Sequence, residues 1–261
     1  MPPPCRRIAC LCEFASLNGG EHSLLSMLRA LRGKVEPVFL APAGGRLAEA
    51  LHAEDWRHLP FEVRDAAGMR RPAEDLADEL CRIIETERPD LLHANSLSMG
   101  RLSGAVSKRL KVPCTAHLRD MVGLSRQAVT HLQGHARLIA VSQATRDYHV
   151  AQGLAADRVT VCHNGIDVER FRPARTPEER TCLHRQLSLT SDTPLLLTIG
   201  QIGLRKGLEV LAAAAPAIAA AAPRVQFVLV GERFSTKAES VEYERRLIDA
   251  FEQAGLGSRL P

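Results

Sequence analysis

Aromatic residues are scarce in this chain, at 4% of 261 residues, and neither sign of charge dominates it. The net charge of +4 comes from scattered Lys and Arg, not from a basic stripe interleaved with aromatics, which argues against nucleic acid as a partner. Long apolar runs are also missing. The Ala-rich stretch 212–222 is broken by Pro216 and falls short of the ~20 residues that a membrane-spanning helix needs. The N-terminal apolar run stops at Glu13, so no secretory signal is expected there. The seven cysteines lack the paired spacing of a metal site, and their odd count fits reduced, buried thiols of a cytosolic protein. Neither the Gly-x-Ser-x-Gly elbow of a hydrolase nor a His-Glu-x-x-His metal helix occurs.

What is present is an alternation of short apolar runs and amphipathic segments. Hydrophobic residues make up 45% and charged residues 25%, the balance of an ordinary soluble enzyme. Ile8–Phe14, Val35–Ala41, Leu91–Ala94, Val112–His117 and Leu138–Val141 each read as a buried strand. Leu24, Leu25, Leu28 and Leu31 share one face of an intervening helix, and Leu76, Leu80, Ile83 and Ile84 one face of another. Strand–helix alternation calls for a parallel sheet covered on both sides, wound by right-handed crossovers. The composition changes after Val159–Cys162. His163-Asn-Gly-Ile-Asp167 is a turn by its Asn-Gly pair, and Phe171–Pro177 is a proline-stiffened connection. A second α/β pattern follows, with strands at Leu195–Gly200 and Val225–Gly231 and helices at Gly207–Ala222 and Tyr243–Ala254. Doubly wound domains usually carry about five or six strands, so this second one is expected to be incomplete.

Chemistry concentrates where strands give way to helices. Gly19-Gly20 follows the first strand and opens a helix expected to begin at Glu21; backbone without Cβ atoms, at a positive helix end, suits phosphate or an oxyanion. A plain turn between strand and helix is the equal alternative. A dinucleotide fingerprint is excluded, because the second strand ends in Ala41-Pro42 and not in an acidic residue. Gly200-Gln-Ile-Gly-Leu-Arg-Lys-Gly207 presents two cations between a strand end and a helix start, a pattern that fits a diphosphate. Arg and Lys can stabilise the growing charge of a departing diphosphate without a metal. In isolation, the loop reads better as a solvated basic turn. His93-Ala-Asn95 and His117-Leu-Arg-Asp120 occupy matching places after their strands, where sites of such folds collect. Ser142 is the expected N-cap of the next helix.

Taken in order, these segments resemble the retaining glycosyltransferases of family 4, the group-1 glycosyl transferases. The resemblance rests on Gly19-Gly20-Glu21, on Asp90-Leu-Leu-His-Ala-Asn95 and His117-Leu-Arg-Asp120, and on Val141-Ser142. It continues through Arg158–Asp167 with Phe171-Arg-Pro173, and through Ile199-Gly200 leading to Arg205-Lys-Gly207. It implies a GT-B-like α/β fold of two Rossmann-like domains facing across a cleft: an N-terminal, acceptor-side domain over 1–168, then a linker and partial donor-binding domain over 169–261. The implied activity is retaining transfer of a sugar from a nucleotide sugar to a hydroxyl of a glycan or lipid-linked acceptor.

By the same resemblance, His117 is the catalytic residue that contacts the sugar, and Arg205 and Lys206 hold the donor diphosphate. Gly19, Gly20, Asn95, Arg119 and Asn164 line the cleft. No cofactor or metal is expected, the nucleotide sugar being a substrate. Localisation is expected to be cytoplasmic, with peripheral contact at the inner face of the membrane. Two features depart from the family pattern. Gln201 stands where many members have Arg, and the Glu-x(7)-Glu pair that grips sugar and ribose is expected beyond Pro261. This chain is therefore expected to be inactive or weakly active by itself. The alternative is a non-catalytic relative that binds a glycan or a partner.

Overall fold

A computed structural model describes residues 5–190, 192–233 and 235–257; the side chains of Arg180, Leu183 and Arg205 lie outside that description. The chain divides into two compact units, the first ending at Phe171 and the second starting at Arg172.

The first unit runs β1 (Arg6–Leu11), α1 (Gly19–Ala30), β2 (Val35–Ala41), α2 (Arg46–Ala53), β3 (Arg57–Pro60), α3 (Ala73–Glu87) and β4 (Leu91–Ala94). It continues with α4 (Leu97–Ala105), α5 (Ser107–Leu110), β5 (Cys114–Leu118), α6 (Arg126–Leu132), β6 (Arg137–Ala140), α7 (Gln143–Ala151) and β7 (Val159–Val161). The strands form one sheet in the order β3-β2-β1-β4-β5-β6-β7, parallel throughout.

The two-residue period of a strand explains why these runs are apolar almost without interruption. Ala9 and Leu11 of β1, with Val38 and Leu40 of β2, face one core, where α3, α4 and α6 bring Leu80, Met99 and Leu132. Cys10 and Phe39 face the other, covered by Leu24, Leu25 and Leu28 of α1 and Leu47 and Leu51 of α2. Both faces being covered, a strand side chain of either parity is buried. Leu40 is fully buried, and truncating it to Ala would cost roughly 2–5 kcal/mol.

The order of the strands places the site. The chain leaves β1 for β2 on one side, and later returns to β4 on the other, so the connections diverge at the carboxyl ends of β1 and β4. Open sheets of this kind bind ligands outside such a divergence. Behind it, α4 and α6 approach so closely that a Cβ on Gly104 would come within 2.0 Å of the His131 carbonyl oxygen. His135, wholly buried there, bonds Leu132 O through Nδ1 and Ser103 Oγ through Nε2, each at 3.0 Å.

Two details differ from the sequence reading, and a third agrees with it. Helix α1 starts at Gly19, not Glu21: Asn18 is its N-cap, and the Glu21 carboxylate accepts the Asn18 backbone N–H at 3.2 Å. The glycines therefore form the first turn of the helix instead of preceding it. Strands β3 and β7 extend the sheet beyond the five expected strands. Ser142 does cap α7, its Oγ accepting the Thr145 N–H at 3.1 Å.

The second unit runs α8 (Pro177–Gln186), β8 (Leu195–Ile199), a 3-10 turn at Leu204–Lys206, α9 (Leu208–Ala221), β9 (Gln226–Val230) and α10 (Ala238–Gln253). Among its described residues, β8 and β9 pair in parallel, Leu195 opposite Gln226. Its core packs Leu208, Ala212 and Ala215 of α9 against Phe227, Tyr243, Leu247 and Phe251. No described helix is long and apolar enough to cross a membrane.

Candidate active site

The carboxyl ends of β1, β4, β5 and β7 bring Gly20, Asn95, His117, Arg119 and Asn164 into one polar network. Arg119 is its hub. Its Nε donates to the Asn95 carbonyl at 3.2 Å, one Nη to Asn95 Oδ1 at 2.8 Å, and the other Nη to Asn164 Oδ1 at 3.1 Å. Asn164 Oδ1 also accepts from Ser23 Oγ on α1 at 2.9 Å. Room for Arg119 comes from Gly20: a Cβ there would sit 3.3 Å from both Cδ and Nε of the arginine. At Gly19 a Cβ would meet nothing within 4 Å, so that N–H end of α1 is open.

Asn95 is 2% exposed, and its Nδ2 has no hydrogen-bond partner among the described residues. The bond from Arg119 to Oδ1 fixes the amide the other way round, which leaves Nδ2 as a donor 3.8 Å from the Cβ position of Gly20. A buried donor without an acceptor costs about 1–3 kcal/mol, which a ligand oxygen would offset. A helix N-terminus, an arginine and this amide together make a region of donors, suited to phosphoryl or hydroxyl oxygens.

His117 lies behind them, 8% exposed. Its Nδ1 is 2.9 Å from His93 Nε2 and 3.4 Å from an Arg119 Nη, while His93 Nδ1 is 2.9 Å from Thr115 Oγ1. The two imidazoles meet edge to face, with ring planes at 90°. Burial, with the Arg119 charge adding to it, pushes His117 down to about 3 and His93 to about 4, so both rings are neutral at pH 7. Burial raises Glu21 above the ordinary carboxyl range, an effect opposed by its backbone hydrogen bonds and by Arg119. The β5–α6 loop is tied from behind by α7, where His149 Nε2 bonds the Asp120 carbonyl at 2.9 Å.

In the second unit, the loop between β8 and α9 contains the expected cations. Gly207 caps α9 with φ +67, a left-handed conformation that suits glycine, and the preceding residues make a 3-10 turn and not the first turn of α9. Lys206 is exposed, with its stem beside Gly200. The side chain of Arg205 lies outside the described residues. Gly231 backs the loop: a Cβ there would fall 1.8 Å from the Gly200 carbonyl oxygen. No group of three His, Cys, Asp or Glu that could hold a metal occurs among the described residues.

The structure thus assembles Gly20, Asn95, His117, Arg119 and Asn164, and leaves Gly19 open beside them. It joins to them His93, already marked at its strand end, and adds Ser23 and Thr115 as participants. The signal for Thr115 is available in the sequence, because residues two apart on a strand share a face and Thr115 precedes His117 by two. Ser23 carries no such signal, its partner lying 141 residues away.

Comparison with known proteins gives this arrangement a context. A GDP-mannose-dependent monoacylated alpha-(1-6)-phosphatidylinositol monomannoside mannosyltransferase of Corynebacterium glutamicum is 29% identical over 231 residues, 84% of this chain and 59% of the relative. A lipopolysaccharide 1,2-N-acetylglucosaminetransferase of Salmonella typhimurium is 29% identical over 121 residues, 46% of this chain and 30% of the relative. The chain therefore spans less than two thirds of the length of these relatives. Among solved structures, Anabaena Alr3699/HepE in complex with UDP has a TM-score of 0.80 at 20% identity, over 97% of this chain and 68% of that one. Sucrose-phosphate synthase from Thermosynechococcus elongatus has a TM-score of 0.70 at 17% identity, over 98% and 69%. Such likenesses are of fold, and they bear out the GT-B-like class expected from the sequence. A family model matches residues 17–170, which take in well over half the chain together with the whole polar network of the first unit, and the chain belongs to Glycosyltransferase Family 4.

Proposed function

We propose that this chain belongs to an enzyme that transfers a sugar from a nucleotide sugar to an acceptor hydroxyl with retention of configuration. The observation that carries this reading is the donor-rich region at the N-terminus of α1, where the unpaired amide of Asn95, the Arg119 guanidinium and the open Gly19 backbone converge. Oxygen-rich, anionic substrates match such a set of donors. In the transfer, the bond from the anomeric carbon to the diphosphate breaks and one to the acceptor oxygen forms on the same face, while the acceptor proton ends on the leaving diphosphate. His117, neutral at pH 7, hydrogen-bonds the sugar and exchanges no proton. Arg205 and Lys206 supply positive charge for the diphosphate, and no metal is required in this scheme.

The acceptor in this reading is a lipid-linked glycan. The Corynebacterium relative is named for a phosphatidylinositol mannoside and the Salmonella relative for lipopolysaccharide. The base and sugar of the donor are open to test, since one relative is named for GDP-mannose while Anabaena Alr3699/HepE is solved with UDP and with UDP-glucose.

A calorimetric binding screen of UDP-, GDP- and ADP-sugars, run beside a hydrolysis assay, tests the reading. Saturable binding of one nucleotide sugar, weakened in Arg119→Met, is expected. If none binds but a glycan does, and Arg119→Met leaves that affinity unchanged, the chain is a non-catalytic binding module instead.

A further inference from the structure

The hydrogen-bond chain behind His117 has a direction, and Arg119 sets it. A guanidinium has donors only. With one of its Nη atoms 3.4 Å from His117 Nδ1, a proton on that nitrogen would face another proton. Nδ1 is therefore the accepting side of the ring. The 2.9 Å contact with His93 Nε2 then needs its proton on His93. A neutral His93 protonated at Nε2 accepts at Nδ1, and the 2.9 Å contact there is met by the Thr115 hydroxyl, which can turn its proton inward. The reverse chain, running from His117 to His93 to Thr115, satisfies the two shorter contacts but opposes Arg119. One arrangement satisfies all three.

We infer that Thr115 and His93 are positioning residues that lock His117 in its Nε2-protonated tautomer, so that its free edge donates a hydrogen bond to a substrate oxygen. That edge has no partner among the described residues. Their closeness follows from sheet register, since His93 of β4 pairs directly with Thr115 of β5. The other charged groups around the chain fit this polarity. The carboxylate of Glu21 and the buried thiol of Cys12 interact with Arg119, and His135 is the further titratable neighbour of His93. None of them supplies a competing proton to Nδ1. His117 is accordingly a donor toward the sugar, and it cannot serve as the base that takes the acceptor proton.

This inference rests on the transfer reading only for what His117 touches. The test is an imidazole 15N spectrum of the full chain at pH 7, in which protonated and bare ring nitrogens are well separated. His117 is expected to be protonated at Nε2 alone. Thr115→Val removes the proton donor to His93 without changing side-chain size, and should give a mixture with Nδ1-protonated His117. It should also weaken nucleotide-sugar binding by roughly tenfold, the worth of one hydrogen bond. Thr115→Ser should restore both. A wild-type His117 protonated at Nδ1 overturns the assignment, and so does a folded Thr115→Val protein whose His117 signals are unchanged. If that variant does not fold, the wild-type spectrum still decides. The spectrum needs no substrate: the expected tautomer without any nucleotide-sugar binding would sink the transfer reading and leave the relay standing.

Discussion

The two units use the same device, a strand leading through a glycine-bearing loop into a helix, to opposite effect. After β1, the loop meets a network already complete: Arg119 is held by Asn95 and Asn164, and Gly20 is bare so that the arginine can lie across it. After β8, the loop offers Lys206 to solvent, with no ion pair among the described residues. A side chain held in place beforehand loses little freedom when it binds. A free lysine gives up as much as about 1.5–2 kcal/mol of rotamer entropy. In the proposed transfer, the first unit would orient the substrate and the second would neutralise charge that arrives.

Disrupting the hub should produce the largest contrast. Arg119→Met leaves Asn164 held by Ser23 alone and strands the Asn95 amide, and turnover in an active enzyme carrying this unit should fall by roughly 10²–10³, as for loss of one oxyanion donor. Lys206→Ala should fall in the same range but act on turnover without disturbing the free protein. Steady-state kinetics beside thermal melts would separate them, and an unchanged rate in either variant removes that residue from the mechanism.

Gly231→Ala sharpens the division between units. Its methyl would overlap the Gly200 carbonyl, and overpacking of this kind costs about 1–3 kcal/mol. Hydrogen exchange should show faster exchange in β8 and β9 while β1 to β7 keep their protection. Equal loss in both sheets would mean that the units do not unfold separately.

The pH dependence tests the first unit by itself. His93 and His117 titrate at about 4 and about 3 in the folded chain, against 6.5 when unperturbed. As pH falls below about 6.5 the unfolded chain takes up protons first, so the stability present above that value is lost progressively down to about pH 4 and 3. The slope reaches at most ~1.4 kcal/mol per pH unit for each ring. His93→Gln should flatten it in urea titrations between pH 6.5 and 4. A slope identical to wild type would contradict the buried, neutral state of His93.

The smallest expected change in stability separates the paired glycines. Gly19→Ala meets nothing and should stay within about 0.5 kcal/mol of wild type, yet weaken nucleotide-sugar binding if the ligand lies against that turn. Gly20→Ala crowds Arg119 and should lower both.

How much of this is legible in the sequence varies with what holds each part in place. β2 and β4 can be read to the residue, because central parallel strands need apolar side chains on both faces. β3 cannot: Arg-His-Leu-Pro has little strand character, and its state is imposed by pairing with β2 at the sheet edge. α4 is hidden for a related reason. Its two glycines and two serines are weak helix formers, and the second of each, Gly104 and Ser103, is needed for packing or bonding against α6 and His135 only once the chain has folded. Asn95, His117 and Arg119 are legible as residues at strand ends. Their grouping around one arginine is not, since it depends on strand order, which a single sequence does not print.

The hydrogen bond between Ser23 and Asn164 has a consequence in time. Its partners are 141 residues apart, and synthesis at about 5–20 residues per second separates their emergence by roughly 7–28 s. β1 likewise waits for β4, some eighty residues downstream, before its second edge is paired. During that interval the nascent first unit exposes an apolar strand that it cannot yet cover, while the oxygen-binding corner at α1 has neither its asparagine nor its arginine. Completion of the site is thus a late event in the birth of the domain, and the span of greatest exposure to aggregation or chaperone capture ends only when the last loop of the sheet has left the ribosome.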